Sequence, residues 1–226
     1  MKNMIFDDNG VYINNLANTG EELGIGQYAF PQSFDMAGKT VKVGGHEIVF
    51  NCGRGLEFDG QKFEYKCQKL EKNLHFVNFG LCALLMDSKT GIATLINGDE
   101  VVSGPADGSC GDGLACSGDE MIGTEVAWVL GCGRFTTQKY TEPGKCVVAW
   151  SPREAAEQEM ECSTWKVRES FYLVDIKGEV LRACCVPFFT NRVIMLQDYE
   201  RMMCVGVALG KGIDPIAFAG YAQIIE

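Results

Sequence analysis

Histidine, proline and positive charge are all in short supply. The chain of 226 residues holds 2 His and 6 Pro. His75 lies in an apolar strand-like run and His46 in a glycine turn, and neither has a Ser or Cys partner at recognisable spacing. That leaves no basis for a hydrolase triad. Lys and Arg number 20 against 30 Asp and Glu, a formal net charge of −10. No basic patch is visible, so the electrostatic footprint of a nucleic-acid binder is missing. No stretch approaches the roughly 18 consecutive apolar residues of a membrane span. The opening MKNMIFDDNG has no apolar run of signal-peptide length, so a cytosolic setting with reduced thiols is expected. Gly131-Cys-Gly133 lacks the remainder of a dinucleotide fingerprint.

Cysteine and glycine, by contrast, are plentiful. The 11 Cys are odd in number and irregularly spaced, which argues against a disulfide framework and for small buried hydrophobes. Cys110 and Cys116 have no His beside them and a five-residue spacer, so neither a metal nor any cofactor is expected. The 27 Gly suit many tight turns between strands.

Alternation dominates the stretch from Gln61 to Asn97. Phe63, Tyr65 and Cys67 alternate with Glu64, Lys66 and Gln68, the period of a half-buried strand. Leu74–Phe79 and Cys82–Met86 are apolar on both faces and are expected to be covered on both, a pattern that also suits a homodimer interface. Asp59-Gly60 is a strong hairpin signal, and Asp87-Ser-Lys-Thr-Gly91 supplies a second turn. Links this short give antiparallel neighbours.

A lead-in over 1–35 precedes a first meander at 36–105, a long Gly/Asp/Ser-rich loop at 106–123, and a second meander at 124–226. In both meanders an Asp opens a late turn, Asp87 and Asp198. Ser151-Pro-Arg-Glu154 has the form of a capped helix start running on to Glu161, and Asn18-Thr-Gly-Glu-Glu could cap one further turn. The expectation is one all-β domain over 1–226. It would be a closed antiparallel barrel of about 8–10 strands drawn from both meanders, with one or two short helices, since closure removes exposed sheet edges.

Glu169-Ser-Phe-Tyr-Leu-Val-Asp175 and Met195-Leu-Gln-Asp-Tyr-Glu-Arg-Met-Met-Cys-Val-Gly206 resemble the C-terminal part of MoaF-like proteins. Leu56-Glu-Phe-Asp-Gly-Gln-Lys-Phe-Glu-Tyr65 and Leu74-His-Phe-Val-Asn-Phe79 are similar to the N-terminal pattern of that family. The resemblance spans most of 36–210 and implies a calycin-type, lipocalin-like barrel. It carries no catalytic signature.

Six residues stand out as candidate ligand contacts. Cys-Gly-Arg occurs twice, ending in Arg54 and Arg134, and paired guanidinium groups could hold a carboxylate or phosphate. The alternative is a glycine turn with a solvated Arg. Tyr65, Trp128 and Tyr140 are amphipathic aromatics on strands that would line a pocket if they face inward, or the core otherwise. Glu64, like Glu47 and Glu125, would be an acid–base group if inward and a solvated carboxylate if outward. The vicinal Cys184-Cys185 pair would point to opposite faces of a strand. Three functions stay open: a barrel holding a small organic ligand, anionic if an inward Arg lacks a Glu partner; a cofactor-independent lyase or isomerase using Tyr, Glu and Arg; and an interaction protein with a filled barrel.

Overall fold

The computed structural model describes residues 4–7, 10–13, 33–130, 135–149, 157–181, 190–210 and 214–224. Every regular element among them is a strand. A separate two-stranded hairpin comes first, β1 (Met4–Asp7) with β2 (Gly10–Ile13). Next is an eight-stranded antiparallel meander, each strand paired with its sequence neighbour. Its members are β3 (Thr40–Val43), β4 (His46–Phe50), β5 (Gly55–Phe58), β6 (Gln61–Glu71), β7 (Leu74–Phe79), β8 (Cys82–Asp87), β9 (Ile92–Asn97) and β10 (Glu100–Pro105). The last sheet contains β11 (Ala115–Cys116), β12 (Glu125–Leu130), β13 (Phe135–Glu142), β14 (Lys145–Ala149), β15 (Gln158–Arg168), β16 (Phe171–Leu181), β17 (Thr190–Asp198), β18 (Met203–Leu209) and β19 (Ile216–Ile224).

Two compact units result, one built on Pro31–Leu114 and the other on Ala115–Glu226. The meanders do not merge into one barrel as expected. Each forms its own sheet, and among the described residues no ladder joins the two. In the C-terminal unit β12 pairs with β19 and β15 with β16, so β12 to β19 form a closed eight-stranded ring. In the N-terminal unit β3 and β10 approach each other without a ladder. They meet through the backbone bond from Lys42 N–H to the Ala106 carbonyl, 2.7 Å, and one bridge between Lys42 and Asp107.

Local chemistry explains the turns. Asp59 and Gly60 both have positive φ, 47° and 81°, as a tight hairpin of matching twist requires. Asp87 Oδ1 accepts from Lys89 N–H at 2.9 Å. Asp198 Oδ1 does the same for Glu200 and Arg201, both at 2.9 Å. The Asp that opens each late turn thus supplies a side-chain acceptor for the turn's own backbone.

Alternation sets the cores. In the N-terminal unit Val41, Ile48, Phe50, Tyr65, Val77 and Leu84 belong to one buried cluster. In the C-terminal unit the inward set includes Val126, Trp128, Tyr140, Val174, Met195 and Cys204. All six residues of β7 are buried, as expected of a strand apolar on both faces.

The helix proposed from Ser151 to Glu161 is not formed over its second half. Residues 158–161 are the start of β15, with Glu161 opposite Lys145 and Met160 opposite Cys146. A local cap cannot outweigh a full ladder of backbone bonds on an inward-facing strand. Ser151–Glu154 and Asn18–Glu22 lie outside the described residues, as do Cys132 and the Cys184–Cys185 pair.

The long loop is partly anchored. Leu114 N–H donates to Ser103 Oγ at 2.7 Å, and Ser103 Oγ also meets Thr94 Oγ1 at 2.7 Å. Cys110 and Cys116 are nevertheless exposed, as is Cys52, whereas Cys67, Cys82, Cys146, Cys162 and Cys204 are buried. Burial pushes the Cys67 thiol up to about 12, and the thiolate is the reactive form. Brief iodoacetamide treatment followed by peptide mass spectrometry should therefore label Cys52, Cys110 and Cys116 first. Faster labelling at Cys82 or Cys204 would contradict the loop placement.

Candidate functional site

The candidate residues separate by parity. Arg54 is exposed, in the turn between β4 and β5. That turn is tied down from below: Tyr65 N–H donates to the Arg54 carbonyl at 2.8 Å, and Tyr65 Oη donates to the Gly53 carbonyl at 3.1 Å. The first Cys-Gly-Arg is therefore a turn whose guanidinium faces water. Arg134 lies outside the described residues. Glu64 is exposed because its neighbours Phe63 and Tyr65 take the inward side. Glu47 pairs with Lys42 at 2.9 Å and Glu125 with Lys139 at 3.3 Å, each across a ladder on the outward side. Tyr65 is inward in the N-terminal unit, edge-on to Phe50 at 5.1 Å, with its hydroxyl already bonded to Gly53.

Trp128 and Tyr140 come together in the C-terminal barrel, in a cluster that also contains three residues the sequence reading passed over: Gln138, Gln197 and Tyr199. Tyr140 Oη is shared between Gln138 Oε1 at 3.2 Å and Gln197 Oε1 at 3.0 Å. Gln197 Nε2 donates to Gln138 Oε1 at 2.8 Å, and Gln138 Nε2 reaches Met195 Sδ at 3.3 Å. Tyr199 Oη donates to Gln197 Oε1 at 2.9 Å. The Tyr199 ring stands edge-on between Trp128 and Tyr172, 5.9 Å from each. The signal that could have found the amides is parity: Gln138 is two residues before Tyr140, and Gln197 two after Met195. What brings Gln138 to Gln197 is the closed ring of strands, which the sequence does not display.

One polar atom in this cluster is orphaned. Trp128 is fully buried and its Nε1 has no hydrogen-bond partner among the described residues. Thr136, its neighbour across the ladder, donates its hydroxyl to the Ala149 carbonyl at 3.2 Å instead.

The segment Ser117–Thr124 covers this end of the barrel. Met121 is buried with the inward cluster. Ser117 N–H bonds the Thr164 carbonyl at 2.9 Å and Gly123 N–H the Tyr140 carbonyl at 2.8 Å. Glu120 clasps the rim, accepting from Lys166 Nζ at 2.9 Å and from Tyr172 Oη at 3.0 Å. The Lys166 hydrogen bond holds the Glu120 carboxyl below its usual range.

Electrostatically the site is neutral. Below the rim, the described inward positions of β12 to β19 carry no charged side chain, and the charges of that parity, Glu142, Lys166 and Arg168, sit at the strand ends. Burial drives the Tyr140 and Tyr199 phenols well above their ordinary range. Both stay protonated near neutral pH and serve as hydrogen-bond donors. Among the described residues no group of His, Cys, Asp or Glu is arranged to hold a metal.

No family model matches the chain, and no curated protein matches it. Among solved structures it is similar to a "putative beta-lactamase from Burkholderia vietnamiensis" at 14% identity and a TM-score of 0.36, over 47% of this chain and 96% of that one. A likeness this slight carries no inference about architecture or chemistry.

Proposed function

We propose that the C-terminal barrel binds a small, uncharged organic molecule at its Ser117–Thr124 end, with the Trp128 indole N–H donating to an acceptor atom of that molecule. One observation carries the reading: Trp128 Nε1 is buried without a partner among the described residues, while Tyr140, Tyr199, Gln138 and Gln197 are linked in one hydrogen-bond network. An unpaired buried donor costs about 1–3 kcal/mol, a cost that a ligand acceptor would remove. The neutral lining argues for a neutral guest, since a buried charge without a counter-charge is far more expensive. The row of Trp128, Tyr199 and Tyr172 rings suits a planar apolar body. The anionic ligand considered from Arg54 finds no support at this end. The MoaF-like, calycin-type kinship and a cytoplasmic setting remain part of this proposal, and an eight-stranded barrel is of the size that holds one small ligand.

Nitrogen–proton NMR of the Trp128 indole tests it. A panel of uncharged aromatic ketones and amides should include members that shift this resonance saturably. The matching carboxylates should not, and Trp128→Phe should weaken the binders as followed through the Tyr199 ring signals. No saturable shift with any compound, together with no small molecule in a solvent extract of freshly purified protein, would overturn the proposal.

A further inference from the structure

The two barrels differ in how they close. The C-terminal ring is laddered all round, whereas β3 and β10 of the N-terminal unit share no ladder. Besides the Lys42–Asp107 bridge, three contacts mark the seam between them. Lys42 N–H bonds the Ala106 carbonyl at 2.7 Å. Gly44, at φ +59°, lies so close to Val102 that a Cβ there would stand 2.5 Å from the valine Cβ. His46, at the start of β4, reaches two carboxylates: Nδ1 to Asp59 Oδ2 at 2.6 Å and Nε2 to Glu100 Oε2 at 3.2 Å.

The His46 geometry has a chemical requirement. A carboxylate only accepts, and a neutral imidazole has a single N–H, so both bonds can form together only when the ring is an imidazolium. Asp59 comes from the β5–β6 turn and Glu100 from the first residue of β10. The Lys42–Glu47 pair lies beside the ring on its own hairpin. Phe58 covers one face at 5.4 Å. We propose that the N-terminal barrel is closed by a proton: the His46 imidazolium straps the β3–β4 hairpin to β10, and losing that proton releases Glu100 and loosens the seam. The shorter Nδ1 bond keeps the remaining proton, so Glu100 is the partner that leaves. The hydrogen bond to Asp59 raises the His46 pKa, burial opposes it, and Glu100 adds to it. A group raised on folding stabilises fully below its ordinary value of 6.5, and that stabilisation disappears as pH rises through the folded value. The seam is therefore tight in mild acid and loose in mild alkali.

Amide hydrogen exchange reads the seam directly. The Lys42 amide is compared with ladder amides of β7 and β8, which cancels the intrinsic pH dependence of exchange. Between about pH 5.5 and about pH 8.5 the relative protection of Lys42 should fall by roughly threefold, the scale of one partly exposed charge pair. In Glu100→Gln the protection should be low at both values, with no step. Gly44→Ala should force the seam open sterically at either pH. A wild-type ratio that does not change with pH would overturn the proposal, and so would an identical step in Glu100→Gln. Glu100 is half exposed, so its variant folds even if Gly44→Ala does not.

Discussion

Replacing Arg192 by Met is expected to destabilise the C-terminal barrel by about 3–5 kcal/mol, the cost of removing one partner from a buried ion pair. Arg192 Nε donates to Asp175 Oδ1 at 2.7 Å and Nη2 to Oδ2 at 2.6 Å, a bidentate fork. Their side chains are 10% and 1% exposed, so water cannot take over for the lost guanidinium. Both residues sit at outward positions, Asp175 between inward Val174 and Ile176, and Arg192 before inward Val193. Urea unfolding should show the midpoint falling with little change in slope. The double variant Asp175→Leu with Arg192→Met is the informative control. Replacing both charges by apolar side chains removes the orphaned carboxylate and should restore much of the loss. A single-variant cost under about 0.5 kcal/mol, the size of a surface effect, would show that the pair is solvated after all.

Phe76→Ala should cost about 3–5 kcal/mol, the range for deleting a buried phenylalanine ring. Phe76 is fully buried at the centre of β7, on the face opposite Val77 and Phe79. Both of its neighbouring strands are laddered to it, through Gln68 on β6 and Leu85 on β8, so the backbone has little freedom to collapse into the space left behind. Calorimetry or urea unfolding would measure this, with Phe34→Ala as a reference because Phe34 is half exposed. Equal losses at the two positions would mean that the outward face of β7 is not a packing surface.

Particular residues show where sequence reasoning succeeds. Asp59-Gly60, Asp87 and Asp198 were legible because their chemistry is local. A turn that needs positive φ, or a side-chain acceptor two residues from the donor, is satisfied within a few positions of the chain. The alternation of Phe63, Tyr65 and Cys67 was legible for the same reason, since a strand's faces repeat every second residue whatever it pairs with. The burial of β7 on both faces followed from its composition.

Arg54 and Arg192 show where it stops. Arg54 was singled out because its tripeptide repeats, yet the turn it occupies projects it into water. Arg192 gave no signal at all, because nothing in Thr190–Asp198 says that an outward position there is shielded from solvent. Trp128 and Tyr140 were picked as aromatics, but Gln138 and Gln197, which organise them, read as ordinary polar strand residues. Their meeting depends on Tyr172 pairing with Gln197 on one side and on the ring closing through β12 and β19 on the other.

The sequence by itself determined that the chain is antiparallel β, where most hairpins turn, and which residues share a strand face. These are short-range properties, set by backbone sterics, turn chemistry and the two-residue repeat. Only the tertiary structure decided that the two meanders form separate sheets, that one ring is fully laddered while the other has a histidine bonded across its seam, and that an indole N–H is left without a partner among the described residues of a neutral interior. Those outcomes depend on which distant strand edges pair, and edge pairing is selected by the summed burial and hydrogen bonding of the whole sheet, a quantity no local stretch of residues contains.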